Sequence, residues 1–289
     1  MVDAESEYCR SLINIDSYPI DRLDDVSRAE VIDEVRERLG VDGCAVLPGF
    51  LSGAGCDVLL TEAEQRRPSA YFSAHTDANV YFSADVPRLP ADHPRRVFMK
   101  RTNGFITADN YGPESASKRL YDWPPLTRFI ADCLGKSTLF IYDDPVSNMI
   151  VNVGRPGTQF TWHFDTNEFT VTMLLKAAKD GGRFEYAPNL RTSEDECYDD
   201  VKAVLEGSRE RVVSLDLRPG DLQLFLGRFS LHRVTENTGD TDRLLLIMSF
   251  ADRPGMIGSV HRTRTLYGKV TDVHRRAERE RVRSDTLED

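Results

Sequence analysis

From Leu139 onward, short apolar runs alternate with polar positions and are broken by turn signals, and this pattern constrains the fold more than any other feature of the 289 residues. Successive side chains on a strand point to opposite faces, so a period of two marks a strand with one face in a core. The runs fall at 146–153, 158–164, 168–176, 182–187, 211–217, 222–227, 230–236 and 243–251. In the last, Leu244, Leu246, Met248 and Phe250 share a face; in 211–217, Val213, Leu215 and Leu217 alternate with Ser214 and Asp216. Gly154-Arg155-Pro156-Gly157, Asp180-Gly181-Gly182, Arg218-Pro219-Gly220-Asp221 and Thr238-Gly239-Asp240 punctuate them. Eight such strands predict a mainly β, α+β fold built on a jelly roll, the double-stranded β-helix.

The N-terminal part reads as helix, strand, helix. Ser27 caps a helix carrying Val31, Ile32, Val35 and Leu39, which Gly40 ends. Cys44-Ala45-Val46-Leu47 is a strand closed by Pro48-Gly49, and Ser52 caps a helix running to near Pro68. Residues 70–118, rich in Pro, Asn, Asp and Gly, predict long loops with little regular structure. Trp123-Pro124-Pro125 starts a helix through about Leu134. The reading is a single domain: a helical part with lid loops over 1–135, a jelly-roll core over 139–251 and a C-terminal cover over 252–289. From residue 269 onward, six basic and six acidic residues predict a solvated helix fraying into a charged tail.

Composition excludes several classes. With 47 Asp+Glu against 37 Lys+Arg, the net charge of −10 argues against a nucleic-acid partner. No apolar run of about 18 residues exists to span a membrane. The opening MVDAESEYCR lacks the apolar stretch of a secretory signal. Five cysteines, odd in number and without CxxC spacing, read as reduced thiols in a cytoplasmic protein.

The chemistry concentrates at Trp162-His163-Phe164-Asp165. On a strand, His163 and Asp165 face the same way and supply two-thirds of a facial 2-His-1-carboxylate metal site. His232, in the strand Ser230–Thr235, is the candidate for the second imidazole. Arg243 follows it by 11 residues, where a guanidinium fork suits a carboxylate; a surface charge at a strand start is its alternative reading.

These residues carry a resemblance. Gly181–Pro188, Arg218–Phe225 and His232-Arg233-Val234-Thr235 followed by Arg243 resemble the core of the Fe(II)/2-oxoglutarate-dependent oxygenases. Asp42–Ser52 is similar to the entry strand of the phytanoyl-CoA and prolyl-hydroxylase-like branches. The resemblance implies that His163, Asp165 and His232 hold Fe(II) and that Arg243 binds the distal carboxylate of 2-oxoglutarate. It also implies consumption of O₂, with ascorbate as reductant in vitro. Trp162 before the HxD and Arg264-Thr265-Leu266-Tyr267-Gly268 after the barrel are similar to the branch of free-amino-acid hydroxylases related to the radical lysine halogenases. Those halogenases replace the metal carboxylate by Gly or Ala, whereas Asp165 keeps it, which implies hydroxylation rather than halogenation.

The expected activity is hydroxylation of an unactivated C–H bond in a small molecule, a free amino acid or a metabolite derived from one. Desaturation or ring closure, hydroxylation of a protein residue and, in a different class, a non-catalytic metal-binding sensor are the alternatives. For the substrate, Arg101 in the polar loop 100–110 is the candidate carboxylate clamp, Asn167 shares the facing parity of His163 and Asp165, and Arg228 and His261 are rim candidates. A solvated side chain is the competing reading for Arg101, Arg228 and His261.

Overall fold

The computed structural model describes residues 4–280. Its helices are α1 (Ala4–Leu12), α2 (Val26–Asp42), α3 (Gly53–Arg66), α4 (Ala116–Asp122), α5 (Pro124–Cys133), α6 (Tyr198–Leu205), α7 (Val260–Tyr267) and α8 (Asp272–Glu280). The early strands are β1 (Cys44–Leu47), β2 (Tyr71–Phe72), β3 (Asp77–Ala78), β4 (Met99–Lys100), β5 (Gly104–Ile106) and β6 (Phe140–Ile141). The barrel strands follow: β7 (Met149–Gly154), β8 (Phe160–His163), β9 (Thr170–Lys176), β10 (Phe184–Ala187) and β11 (Val213–Leu215). The last are β12 (Leu222–Phe225), β13 (Leu231–Val234), β14 (Arg243–Met248) and β15 (Phe250–Ala251).

Two antiparallel sheets form the jelly roll. The larger runs β1-β12-β9-β14-β7-β5-β2 and the smaller β11-β10-β13-β8. The period of two sorts each strand of the large sheet between two environments. Leu244, Leu246 and Met248 of β14, with Met149, Val151 and Val153 of β7, pack outward with Leu39, Leu59 and Phe129 of the helices in one apolar core. Their alternates, Leu245, Ile247, Ile150 and Asn152, face inward and line a cavity between the sheets. Helices α1 to α5 thus seal one face, and burial of this surface is the main driving term for the fold.

Local details depart from the expected boundaries. Helix α2 begins at Val26 because the Asp25 carboxylate, not Ser27, accepts from the Ser27 backbone N–H at 3.0 Å. It runs through Gly40 to Gly43, whose left-handed φ of 63° terminates the helix while its N–H bonds to the Leu39 carbonyl. Ser52 caps α3 as expected, accepting from Gly55 N–H.

The 70–118 region is more structured than a loop reading implies. β2 and β5 extend the large sheet, β3 pairs with β4, and α4 falls within its end. Runs of two or three residues are too short for periodicity to reveal; only pairing to β7 makes β5 a strand. The C-terminal segment is corrected too. His274 on α8 is fully buried, with Nε2 3.0 Å from Asp144 and Nδ1 accepting from Thr271. The helix is therefore docked rather than solvated all round. The end of the expected tail, 281–289, lies outside the described residues.

Candidate metal centre and active-site cavity

β8 and β13 are neighbours in the small sheet, and their register sets His163 directly opposite His232. The two rings lie 4.1 Å apart, centroid to centroid, and both are buried. Each Nδ1 is held by a backbone carbonyl two residues earlier: His163 by Thr161 at 2.8 Å, His232 by Ser230 at 3.0 Å. A carbonyl can only accept, so each Nδ1 carries the proton and each Nε2 presents a lone pair.

Asp165 completes the group from just beyond β8. The strand ends at His163, so strand parity does not orient the carboxylate. Tertiary contacts do: the Asp165 backbone N–H bonds to the Gly227 carbonyl at 3.0 Å, and Thr170 Oγ1 donates to Oδ2 at 2.7 Å. The other oxygen, Oδ1, lies 3.8 Å from His163 Nε2 and 3.6 Å from His232 Nε2. The three donor atoms lie within 4.8 Å of one another, and this is the only group of its kind among the described residues. Gly227 is needed here, since a Cβ at that position would collide with Oδ2.

The electrostatics suit a divalent cation. Burial, reinforced by the neighbouring His232, drives the His163 pKa well below 6.5 despite Asp165, so the ring is neutral at physiological pH. Burial alone would raise the Asp165 pKa, but both imidazoles and Arg262 outweigh it and hold the carboxyl well below the usual range. Two imidazoles that present Nε2 and one carboxylate on one side of a point, with the other side open to a cavity, are the donor set of non-haem Fe(II) oxygenases.

The cavity has a volume of about 130 Å³. Phe105, Phe160, Phe184 and Phe225 supply apolar walls, and Tyr142, Asn152, Thr172 and Gln223 hydrogen-bonding groups. Arg262, Thr263, Leu266 and Tyr267 of α7 close one side.

The other expected residues divide. Asn167 lines the cavity, although it sits on a turn rather than on a strand face. Arg243 shares the inward parity of Leu245 and Ile247 on β14 but lies farther along the strand, beside Gly182, where a Cβ would crowd its Cδ. Its guanidinium is buried and bonds to no described residue, with Nη1 orphaned; burial without compensation pushes its pKa down to about 10. A buried guanidinium without a counter-charge is costly unless an anion joins it, so Arg243, which lines a cavity separate from that of the metal group, suits a carboxylate.

Arg101 and Arg228 are absent from the cavity wall, in contrast to the expectation that they face a substrate. Arg101 is buried behind α7 and makes long contacts of 3.4–3.5 Å to Asn103 and to the Thr265 carbonyl. Arg228 is turned to the protein, Nη1 donating to the Thr166 carbonyl at 2.7 Å, where it braces the turn after Asp165. His261 is exposed. Arg262, one residue on, is in the wall. A helical reading of 260–267 would have separated 261 from 262 and 266, but a charged segment beyond the barrel carried no such signal.

Sheet order and metal group, together with a family model matched over more than half of the chain, define the class: this is an Fe(II)- and 2-oxoglutarate-dependent oxygenase. Solved structures agree on the fold. The chain is similar to the 2-oxoglutarate-dependent carbocyclase SnoK from nogalamycin biosynthesis (15% identity, 80% of this chain and 85% of that one, TM-score 0.54). It is similar also to the epimerase SnoN of the same biosynthesis (16%, 78% and 83%, 0.53) and to a Trichoplax adhaerens prolyl hydroxylase (16%, 80% and 96%, 0.52). No curated protein matches the chain. Within the class the chain belongs to the Halogenase D family, whose model matches residues 110–265, more than half of its length.

Proposed function

We propose that this oxygenase hydroxylates an unactivated C–H bond of a small molecule, a free amino acid or a close derivative. The observation that carries the reading is Asp165. Its carboxylate stands beside both imidazoles, locked by Thr170, and would supply a ligand where a halide would otherwise bind the metal. The family's name therefore does not extend to this chain's chemistry.

His163, His232 and Asp165 would hold Fe(II), and Arg243 would take the distal carboxylate of 2-oxoglutarate. When bound, the metal and 2-oxoglutarate would supply an oxidant from O₂, one oxygen atom entering succinate as CO₂ leaves and the other being available to the substrate. The residues around them orient and exclude. The carbonyls of Thr161 and Ser230 fix the imidazole tautomers. The phenyl rings and α7 keep bulk water from the centre. Asn167 stands at the cavity wall close to Asp165 in sequence, where it can hydrogen-bond a substrate.

A cavity of this size behind a helix supports a small molecule over a protein residue, which would need an open groove. The test is incubation with Fe(II), 2-oxoglutarate, ascorbate and a panel of free amino acids, following succinate and product mass. Gain of one oxygen in one amino acid, lost in His163→Ala, is expected. Loss of two hydrogens without oxygen gain would replace hydroxylation by desaturation, and a chlorinated product in the presence of chloride would refute the role given to Asp165.

A further inference from the structure

One cation at the open side of the metal centre, Arg262, stands at ion-pair distance from Asp165, but its guanidinium makes no hydrogen bond among the described residues. Arg262 projects from α7 into the cavity wall with its guanidinium 4.7 Å above the Phe82 ring, and Phe82 in turn packs edge-on against His163. Its Nη2 is 3.8 Å from Asp165 Oδ1, beyond hydrogen-bond range, and its Nη1 is buried with nothing to donate to. No hydrogen bond joins this guanidinium to any described residue, while Oδ1 is the oxygen turned to both imidazoles and hence to a metal.

We propose that Arg262 anchors the carboxylate of the primary substrate, and that this substrate carries no cationic group on its side chain. The assignment rests on the hydroxylase reading above and narrows its substrate class.

Three observations point the same way. The first is the orphaned donor: a guanidinium offers up to five N–H groups in a planar fork, and one half-buried without an acceptor is satisfied best by a bidentate carboxylate. The second is the charge balance. Arg101, behind the same helix on the Thr265 carbonyl, has only neutral acceptors and adds a second positive charge nearby, while Asp165 is the one carboxylate among the described lining residues. The third is the rest of the wall. Tyr142, Asn152, Thr172 and Gln223 are neutral, and the phenyl rings and Leu245 are apolar. A lysine-like side chain would bring an ammonium into this wall with no counter-charge beyond Asp165, whose Oδ1 is turned to the imidazoles, at a large desolvation cost. A hydrocarbon or amide body meets no such penalty. Phe82 under the guanidinium fixes its plane, so a carboxylate held there sets the distance of the substrate's C–H bonds from the metal.

The test is binding to the Fe(II)- and 2-oxoglutarate-loaded protein without O₂, by calorimetry and by the change in its metal-to-2-oxoglutarate charge-transfer band. The probes are the twenty protein amino acids, their α-amides and 4-methylpentanoate. At least one amino acid with a neutral side chain should bind, its amide at least about 10-fold more weakly, and lysine and arginine about 10-fold more weakly than the best neutral binder. Arg262→Gln should weaken the best carboxylate by about 10- to 100-fold, the range for a lost charge-assisted pair, with 2-oxoglutarate affinity within twofold of wild type. Arg262→Lys should recover part of the loss. The assignment is overturned if no carboxylate binds, if the amide binds equally, if a cationic side chain is preferred, or if Arg262→Gln weakens 2-oxoglutarate in parallel, which would make Arg262 a cosubstrate ligand. Because binding is read without turnover, a carboxylate held by Arg262 but later desaturated would sink the hydroxylase reading and leave this assignment standing.

Discussion

At the scale of the residue, Thr170 determines what Asp165 can do. A carboxylate has two equivalent oxygens, and the Thr170 hydroxyl removes the equivalence by engaging Oδ2 and leaving Oδ1 toward the imidazoles. Groups that orient a metal ligand in this way typically contribute 10- to 100-fold to affinity. Thr170→Val, close in shape but without the donor, should therefore weaken Fe(II) or Mn(II) binding by roughly 10-fold with little change in folding. Gly227→Ala should abolish tight binding, since its methyl would displace Oδ2. Metal titration of both variants checks this, and wild-type affinity in Thr170→Val would show the hydroxyl to be dispensable. His163-x-Asp165 and His232 are legible in the sequence because a metal demands particular side chains. Thr170 is not, because a threonine on an amphipathic strand looks the same whether or not its hydroxyl is used.

At the scale of the element, the C-terminal helices tell most. α7 is a wall of the cavity, and α8 ties it down. Buried Asp144 accepts from the backbone N–H groups of Val146, Ser147 and Gly258 and pairs with buried His274. Ser147 and Gly258 themselves line the cavity, so one carboxylate joins β6's downstream loop, the segment before α7, and α8. His274→Ala would leave Asp144 with its three N–H donors but without the imidazole, and the protein should lose about 1–3 kcal/mol, the range for stranding one partner of a buried hydrogen bond. Urea denaturation measures it, and an unchanged midpoint would show that α8 merely rests on the surface. Strand positions were legible throughout the barrel because inward and outward faces differ in polarity. The helix boundaries were not: Asp25 and Ser27 both fit a cap, and which of them acts is a matter of backbone geometry. For the segment 269–280, mixed charge concealed a single buried histidine, since composition averages over a helix while burial selects one position on it.

At the scale of the whole molecule, the jelly roll brings together groups from distant parts of the chain. A site made of residues 69 apart, His163 and His232, exists only in the folded state. Metal binding should then stabilise the fold by linkage: at a free metal concentration about 100-fold above the dissociation constant, the gain is about 2.7 kcal/mol. Mn(II), which does not oxidise readily, should raise the melting temperature, a chelator should reverse the rise, and His163→Ala should show neither. A melting temperature indifferent to metal in the wild type would contradict the three-residue site.

The amino-acid sequence by itself determined the class of fold and the iron ligands, because both are written in short-range terms. A period of two specifies a strand face, and the ligand types at fixed spacings specify a donor set. Only the tertiary structure decided which neutral and cationic groups surround that donor set. Arg262 is 99 residues from His163, on a helix that shares no strand with it, while Arg101 and Arg228 are equally charged but turned away from the cavity. The physical reason is that an arginine's charge is a property of the residue, whereas its partners, and hence its demand for an anion, belong to the packed environment.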